Sequence, residues 1–313
     1  MTADIENLRP GSVRDWAAYA VGVLWALREE GHRLGGVDLL IDGEVPVGAG
    51  LSSSAALECA LVCVINDLFD LGCSVNDLIR IARRAENDYV GVPTGALDQT
   101  ASMMCHPNQA LFIDFRSMYT RLIPFDLSTA GLALLVIDTR APHRLMDGEY
   151  ATRRAECTRA AALLGRTSMR DVDIADLAKA GAELTDSVLR QRMAHVVTEN
   201  ARVLSAVRLL DTGEDLRELG PLLTASHLSL SRDYDVSCPE LDVAVEAALG
   251  AGACGARMTG GGFGGSAIAL VEEVDQGDIG ESVRRAFKNA DLAEPAVFAV
   301  QPSPGAHRMN VSA

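Results

Sequence analysis

Aromatic side chains are scarce in this chain: 4% of its 313 residues, against 48% hydrophobic residues of all kinds. Any core must therefore be built mainly from Ala, Val and Leu. Positive charge is also short, with 28 Lys and Arg against 43 Asp and Glu and a formal net charge of −15. That balance argues against a nucleic-acid or acidic-membrane surface, because both need a positive field. A small anionic ligand is not excluded, since a few N–H donors and a metal ion can hold one. No apolar run reaches the roughly 18 residues of a membrane span. The opening MTADIENLRPGS lacks the basic and apolar regions of a signal peptide. The seven cysteines (Cys59, Cys63, Cys73, Cys105, Cys157, Cys238 and Cys254) include no CxxC pair, and their number is odd. This argues against a disulfide framework or a zinc site and for a reduced, cytoplasmic setting. The six histidines form no i, i+4 pair and read as surface or structural residues. Repeats, low-complexity linkers and coiled-coil heptads are absent, and a monomer is expected.

The chain is long enough for two domains. Residues 14–29 have the pattern of an amphipathic helix, and residues 37–46 alternate like a strand. A Gly/Ser loop then runs into a helix that stops near Gly72. Ser74, with Asp77 three residues on, reads as the N-cap of a helix reaching about Tyr89. A Gly/Pro turn over 91–95 leads to a helix beginning near Leu97. Strands are expected at 109–115 and 132–138, helices over 147–165 and 187–212, and a glycine loop followed by a strand over 257–271. Strands and helices mix without a steady βα rhythm, which points to an α+β fold. The domains expected are 1–130 and 131–305, with a tail over 306–313.

The segment Pro46-Val-Gly48-Ala49-Gly50-Leu51-Ser52-Ser53-Ser54-Ala-Ala-Leu-Glu58 has the chemistry of a polyphosphate site. Glycines let the backbone approach an anion and aim successive N–H groups at it. The serines open a helix whose first-turn N–H groups and dipole favour negative charge, and their hydroxyls suit Mg²⁺. The plainer alternative is a flexible connection ending in a Ser N-cap. A GxxxxGK[ST] loop is absent, so this is not an ordinary P-loop.

This segment resembles the second signature of the GHMP kinases in the form typical of galactokinases. Met258-Thr259-Gly260-Gly261-Gly262-Phe263-Gly264-Gly265 resembles their third signature, more than 200 residues downstream. The resemblance implies a two-domain GHMP-kinase fold: a ribosomal S5 domain 2-like N-terminal domain, incomplete at its start, and a ferredoxin-like α+β C-terminal domain. It implies ATP-dependent phosphorylation of galactose at its anomeric hydroxyl, with Gly48 to Ser54 around the ATP phosphates and the third signature supporting that loop. The stretch from Arg84 to Gln99 is similar to the galactokinase segment bearing the metal carboxylate and the catalytic aspartate. By that match Glu86 holds Mg²⁺ with Ser54, and Asp98 is the base. Gly95, Asp98 and Tyr150, the last in Gly148-Glu149-Tyr150, match substrate positions. Without the resemblance, Glu86 reads as an exposed helix residue, Asp98 as a first-turn acid favoured by the dipole, and Tyr150 as a half-buried helix residue. Trp16 matches a tryptophan near the adenine, with core packing as its alternative. The segment from Asp233 to Asp242 also matches and reads as structural.

Two departures stand out. The first galactokinase signature, with its Gly-Glu-His-Thr-Asp string, does not occur in the chain. Alignment on Asp98 implies that roughly 75 to 90 residues of the family pattern precede Met1, among them most galactose contacts and an arginine beside the transferring phosphoryl group. The family's Arg-His before the tyrosine segment is Pro142-His143, with Arg140 and Arg144 as possible substitutes. Activity of residues 1–313 is thus an open expectation. The alternatives are a non-catalytic sugar- or ATP-binding relative, and a GHMP kinase for another sugar such as N-acetylgalactosamine or arabinose. Against the first stands the undamaged GLSSSAALE run with its acidic pair.

Overall fold

The structure is a computed structural model, and it describes residues 2–141 and 146–309. The chain folds as two units: 1–47, 52–123 and 302–313 form the first, and 48–51 with 124–301 form the second.

The first unit is mostly helical. Helices α1 (Ala17–Glu29), α2 (Ser53–Leu68), α3 (Val75–Arg84) and α4 (Leu97–Met104) enclose a core of Val23, Ala26, Leu27, Val62, Ile65, Ile81 and Ala82. In α2, Glu58, Cys59, Leu61, Val62 and Ile65 recur at three- and four-residue spacing, and this stripe is the face it buries. The expected cap of α3 is present as a full capping box: Ser74 and Asp77 each accept the other's backbone N–H. Its continuation toward Tyr89 is not α-helical. Residues Ala85–Val90 form a π-turn closed by Gly91, whose N–H reaches Glu86 O at 3.0 Å. A two-stranded sheet, β1 (Gln109–Asp114) with β2 (Tyr119–Pro124), completes the unit.

The strand expected over 37–46 does not form. Residues 32–44 carry no regular structure, and Leu40 is wholly exposed. Alternation prepares a strand, but a ladder needs a neighbour for its N–H and C=O groups. No strand among the described residues pairs with this segment. Trp16 also departs from its core-packing alternative: it is 60% exposed, and the buried tryptophan is Trp25, against Tyr89 and under the Arg84 guanidinium.

The second unit is built on an antiparallel sheet in the order β4-β5-β3-β6. Its strands are β3 (Leu132–Asp138), β4 (Gly255–Met258), β5 (Ser266–Glu272) and β6 (Ala296–Val300). Val136 pairs with Ile268 on one side and Phe298 on the other. Small Ala256, Ala267 and Ala269 let Leu241, Val245, Ile279, Val283 and Phe287 pack closely. Those side chains come from α9 (Pro239–Gly250) and α10 (Gln276–Asn289). A second helical cluster joins α5 (Met146–Leu163), α6 (Leu177–Glu183) and α7 (Ser187–Thr212), and α8 (Leu219–Ser229) lies on β4. The long helices and the strands at 109–115 and 132–138 lie close to their expected bounds, and β2 adds a strand beyond those the sequence pattern predicts. All seven cysteines are free thiols, and burial pushes each above its ordinary pKa. No helix among the described residues is long and apolar enough to cross a membrane.

Candidate active site

The loop from Gly48 to Ser52 turns on three left-handed residues: Gly48 (φ +80°), Gly50 (φ +68°) and Ser52 (φ +56°). At a serine this conformation costs energy, and such strain is found where the backbone must aim its groups. Ser52 makes no side-chain cap, so the Ser N-cap alternative is wrong in detail. Its carbonyl accepts Ala56 N–H, and no side-chain oxygen among the described residues caps the first-turn N–H groups of α2. A helix start of this kind is open to an anion.

The loop's middle is fixed within the second unit. Wholly buried Ser266, at the start of β5, donates its hydroxyl to Ala49 O at 2.7 Å. Gly260 lies so close that a Cβ there would come 3.0 Å from Gly50 O. A Cβ at Gly262 would overlap the Val236 carbonyl, and its φ of +87° also demands glycine. Gly260, Gly262 and Gly264, the last with Ala141 O 2.9 Å from where its Cβ would be, thus serve close backbone approach. The 233–242 segment packs there too: Phe263 N–H donates to Val236 O at 2.7 Å. Buried Arg153 ties Tyr234 O, Asp235 O and the Asp235 carboxylate together, with its guanidinium over the Phe263 ring. Arg140 is exposed with a φ of +54°. Pro142, His143 and Arg144 lie outside the described residues.

In the first unit the π-turn brings Glu86 to Ser54. Ser54 Oγ donates to Glu86 Oε1 at 2.9 Å, and Glu86 is only 4% exposed. The sequence pattern alone makes Glu86 an exposed helix residue. The wider π-turn and its contact with α2 put it inside. Glu86 Oε2 accepts Thr94 Oγ1 at 2.8 Å and Gln99 Nε2 at 2.7 Å. Gln99 Nε2 also donates to Glu58 Oε2 at 3.2 Å. Glu58 and Gln99 are wholly buried, and one oxygen of each, Oε1 in both, has no partner among the described residues. Burial, and then the Glu86 charge, push the Glu58 carboxyl up to about 9, partly offset by the Gln99 hydrogen bond. Glu58 is therefore a neutral acid at neutral pH, which brings a hydrogen-bond donor into this buried cluster. Thr94, Gln99 and Glu58 were given no role by sequence reasoning. The available signal was adjacency: Gln99 follows Asp98, and Glu58 closes the serine-rich segment.

Asp98 stands in the first turn of α4, half-buried, one residue before Gln99. Gly95 is exposed, and a Cβ there would meet nothing within 4 Å. Tyr150, on α5 of the second unit, is 44% exposed. No group of three or more His, Cys, Asp and Glu side chains among the described residues can cage a metal. Ser54 Oγ with one Glu86 oxygen is instead a sparse pair of hard donors. Such a pair suits a cation whose remaining ligands are phosphate oxygens and water, as Mg²⁺ prefers.

The family model for the GHMP kinases N terminal domain matches residues 18–106, and that for the GHMP kinases C terminal domain matches 204–289. The chain is 51% identical to a galactokinase of Streptomyces coelicolor over 97% of its own length and 79% of the relative's. It is 46% identical to one of Mycobacterium tuberculosis over 95% of its length and 81% of the relative's. Among solved structures it is similar to Lactococcus lactis galactokinase in complex with galactose. The TM-score is 0.92 at 31% identity, covering 98% of this chain and 80% of that one.

Proposed function

Since this chain belongs to the GHMP kinases, and among them to the galactokinases, we propose that it phosphorylates D-galactose with ATP, giving α-D-galactose 1-phosphate and ADP. The observation that carries the assignment of roles is the Ser54–Glu86 contact at 2.9 Å, formed between the serine-rich segment and a carboxylate 32 residues away. Gly48, Ala49, Gly50, Leu51, Ser52, Ser53 and Ser54 wrap the ATP phosphates with backbone N–H groups and the uncapped start of α2. Ser54 Oγ and Glu86 Oε1 would hold Mg²⁺, which supplies charge neutralisation at the β and γ phosphates when bound. Asp98 orients the anomeric hydroxyl and takes its proton as the new O–P bond forms. The bond from the γ phosphorus to the bridging oxygen breaks, and ADP leaves. Gly95 leaves room for the sugar beside Asp98, and Tyr150 contributes a sugar contact. The proposal includes a cytoplasmic, monomeric protein. A non-catalytic binder and a kinase for another sugar have no specific observation in their favour.

The test is Asp98→Ala, followed by galactose-dependent ADP release and by nucleotide binding. Removing a positioned base is expected to cost about 10²- to 10⁴-fold in turnover, with ATP affinity unchanged. Turnover like that of the unsubstituted chain would remove Asp98 from the role.

A further inference from the structure

Glu86 presents its two oxygens unequally. Among the described residues Oε1 meets only the Ser54 hydroxyl. Oε2 accepts two hydrogen bonds, from Gln99 Nε2 and Thr94 Oγ1. A carboxylate oxygen has two in-plane lone-pair directions, and both of those on Oε2 are taken. The donors are themselves fixed. Gln99 is wholly buried, with its other amide hydrogen on Glu58. Thr94 is clamped by Asn87, whose side chain accepts Thr94 N–H at 3.0 Å and donates to Thr94 O at 3.2 Å. Asn87 Oδ1 also lies 3.0 Å from Thr94 Oγ1, but the shorter contact to the carboxylate is the one the single hydroxyl proton serves.

We infer that Thr94 and Gln99 are positioning residues that restrict Glu86 to single-oxygen coordination, and so select a small octahedral cation over a larger one. This rests on the reading of Ser54 and Glu86 as cation ligands. Ca²⁺ takes six to eight oxygens in a flexible shell and gains ligands by binding carboxylates through both oxygens as well as one; Mg²⁺ demands near-octahedral geometry, keeps several waters and needs only one or two carboxylates. With Oε2 saturated, the carboxylate cannot swing to offer both oxygens without stranding a buried amide hydrogen and a hydroxyl. Stranding a buried donor is expensive. Ser54, by contrast, needs only to rotate its hydroxyl to turn a lone pair toward the cation. The same amide hydrogen-bonds Glu58 on α2 and stands next to Asp98 on α4, so one side chain sets the carboxylate and anchors the helix bearing the base.

The experiment follows the electron paramagnetic resonance of Mn²⁺ bound to the protein with β,γ-imido-ATP, and measures how much Mg²⁺ or Ca²⁺ displaces it. In the unsubstituted chain Mg²⁺ is expected to compete far better than Ca²⁺. In Gln99→Met and in Thr94→Val that preference is expected to fall by about 10- to 100-fold, the range typical of residues that orient a metal ligand. Simple loosening of the fold would weaken both cations alike and leave their ratio untouched, and two independent variants guard against one failing to fold. A Mg²⁺-to-Ca²⁺ ratio unchanged in both variants, while Glu86→Gln still weakens Mn²⁺, overturns the inference alone. Mn²⁺ binding indifferent to Glu86→Gln overturns the cation assignment and the inference with it.

Discussion

Replacing Glu58 by Gln tests whether this buried carboxyl carries a proton. In the folded chain Glu58 is held near pKa 9 by burial and by the neighbouring Glu86 charge, against 4.5 for the free side chain. Folding therefore draws in a proton over that interval. Stability from this group is fully present below pH 4.5 and falls as pH rises, until it is gone above about 9. Each pH unit in the interval is worth about 1.4 kcal/mol, so by pH 7 about 3 kcal/mol has been lost. Gln keeps the shape, has nothing to titrate and supplies permanent hydrogens where the acid needed a proton. The stability of Glu58→Gln minus that of the unsubstituted chain should rise by about 1.4 kcal/mol per unit between roughly pH 5 and 8. Urea unfolding followed by Trp25 fluorescence reads it, with Trp16→Phe in both proteins to remove the exposed indole. Infrared difference spectra should show a carboxylic-acid carbonyl band that the variant loses. A stability difference flat across pH, or no such band, refutes a neutral Glu58.

Three other perturbations bear on the second unit. Ser266→Ala removes the hydrogen bond to Ala49 O and strands a buried carbonyl, at about 1–3 kcal/mol; a KM for ATP raised about tenfold or more, with the galactose KM little changed, is expected, and an unchanged ATP KM would separate β5 from the phosphate loop. Gly220→Ala should destabilise by more than about 3 kcal/mol in thermal unfolding, because its Cβ would overlap the Cys254 carbonyl where α8 meets β4; a neutral effect would contradict that packing. His195, lowered to about 4 chiefly by burial, stays neutral at neutral pH, so its stability contribution is present above pH 6.5 and lost as pH falls toward 4. Its imidazole resonances should show no titration step near pH 6.5, and a step there would contradict its burial between Ser229 and the Tyr234 ring.

Much of this protein was legible in the chain because it depends on short-range rules. The capping box at Ser74 and Asp77, the helix at Leu97 and the strands at 109 and 132 follow from local pattern. The two glycine-bearing segments were legible because their chemistry needs particular residues in one continuous run. The segment over 37–46 shows the limit: alternation specifies which face would be buried, but hydrogen-bonding to a neighbour decides whether a strand exists.

The sequence by itself determined the family, the reaction class and the residue types on which the chemistry rests. Tertiary structure alone decided the state of those residues. Helical periodicity makes Glu86 a surface residue, yet the π-turn and Ser54 bring it inside, because an exposure of only 4% is set by what packs against a side chain. Thr94 and Gln99 lie 36 and 41 positions after Glu58 along the chain. Their shared hydrogen bonds, and the proton on Glu58, exist only because folding removes water from around them. A carboxyl's pKa and a carboxylate's free lone pairs are properties of that dry neighbourhood, and no local stretch of sequence contains it.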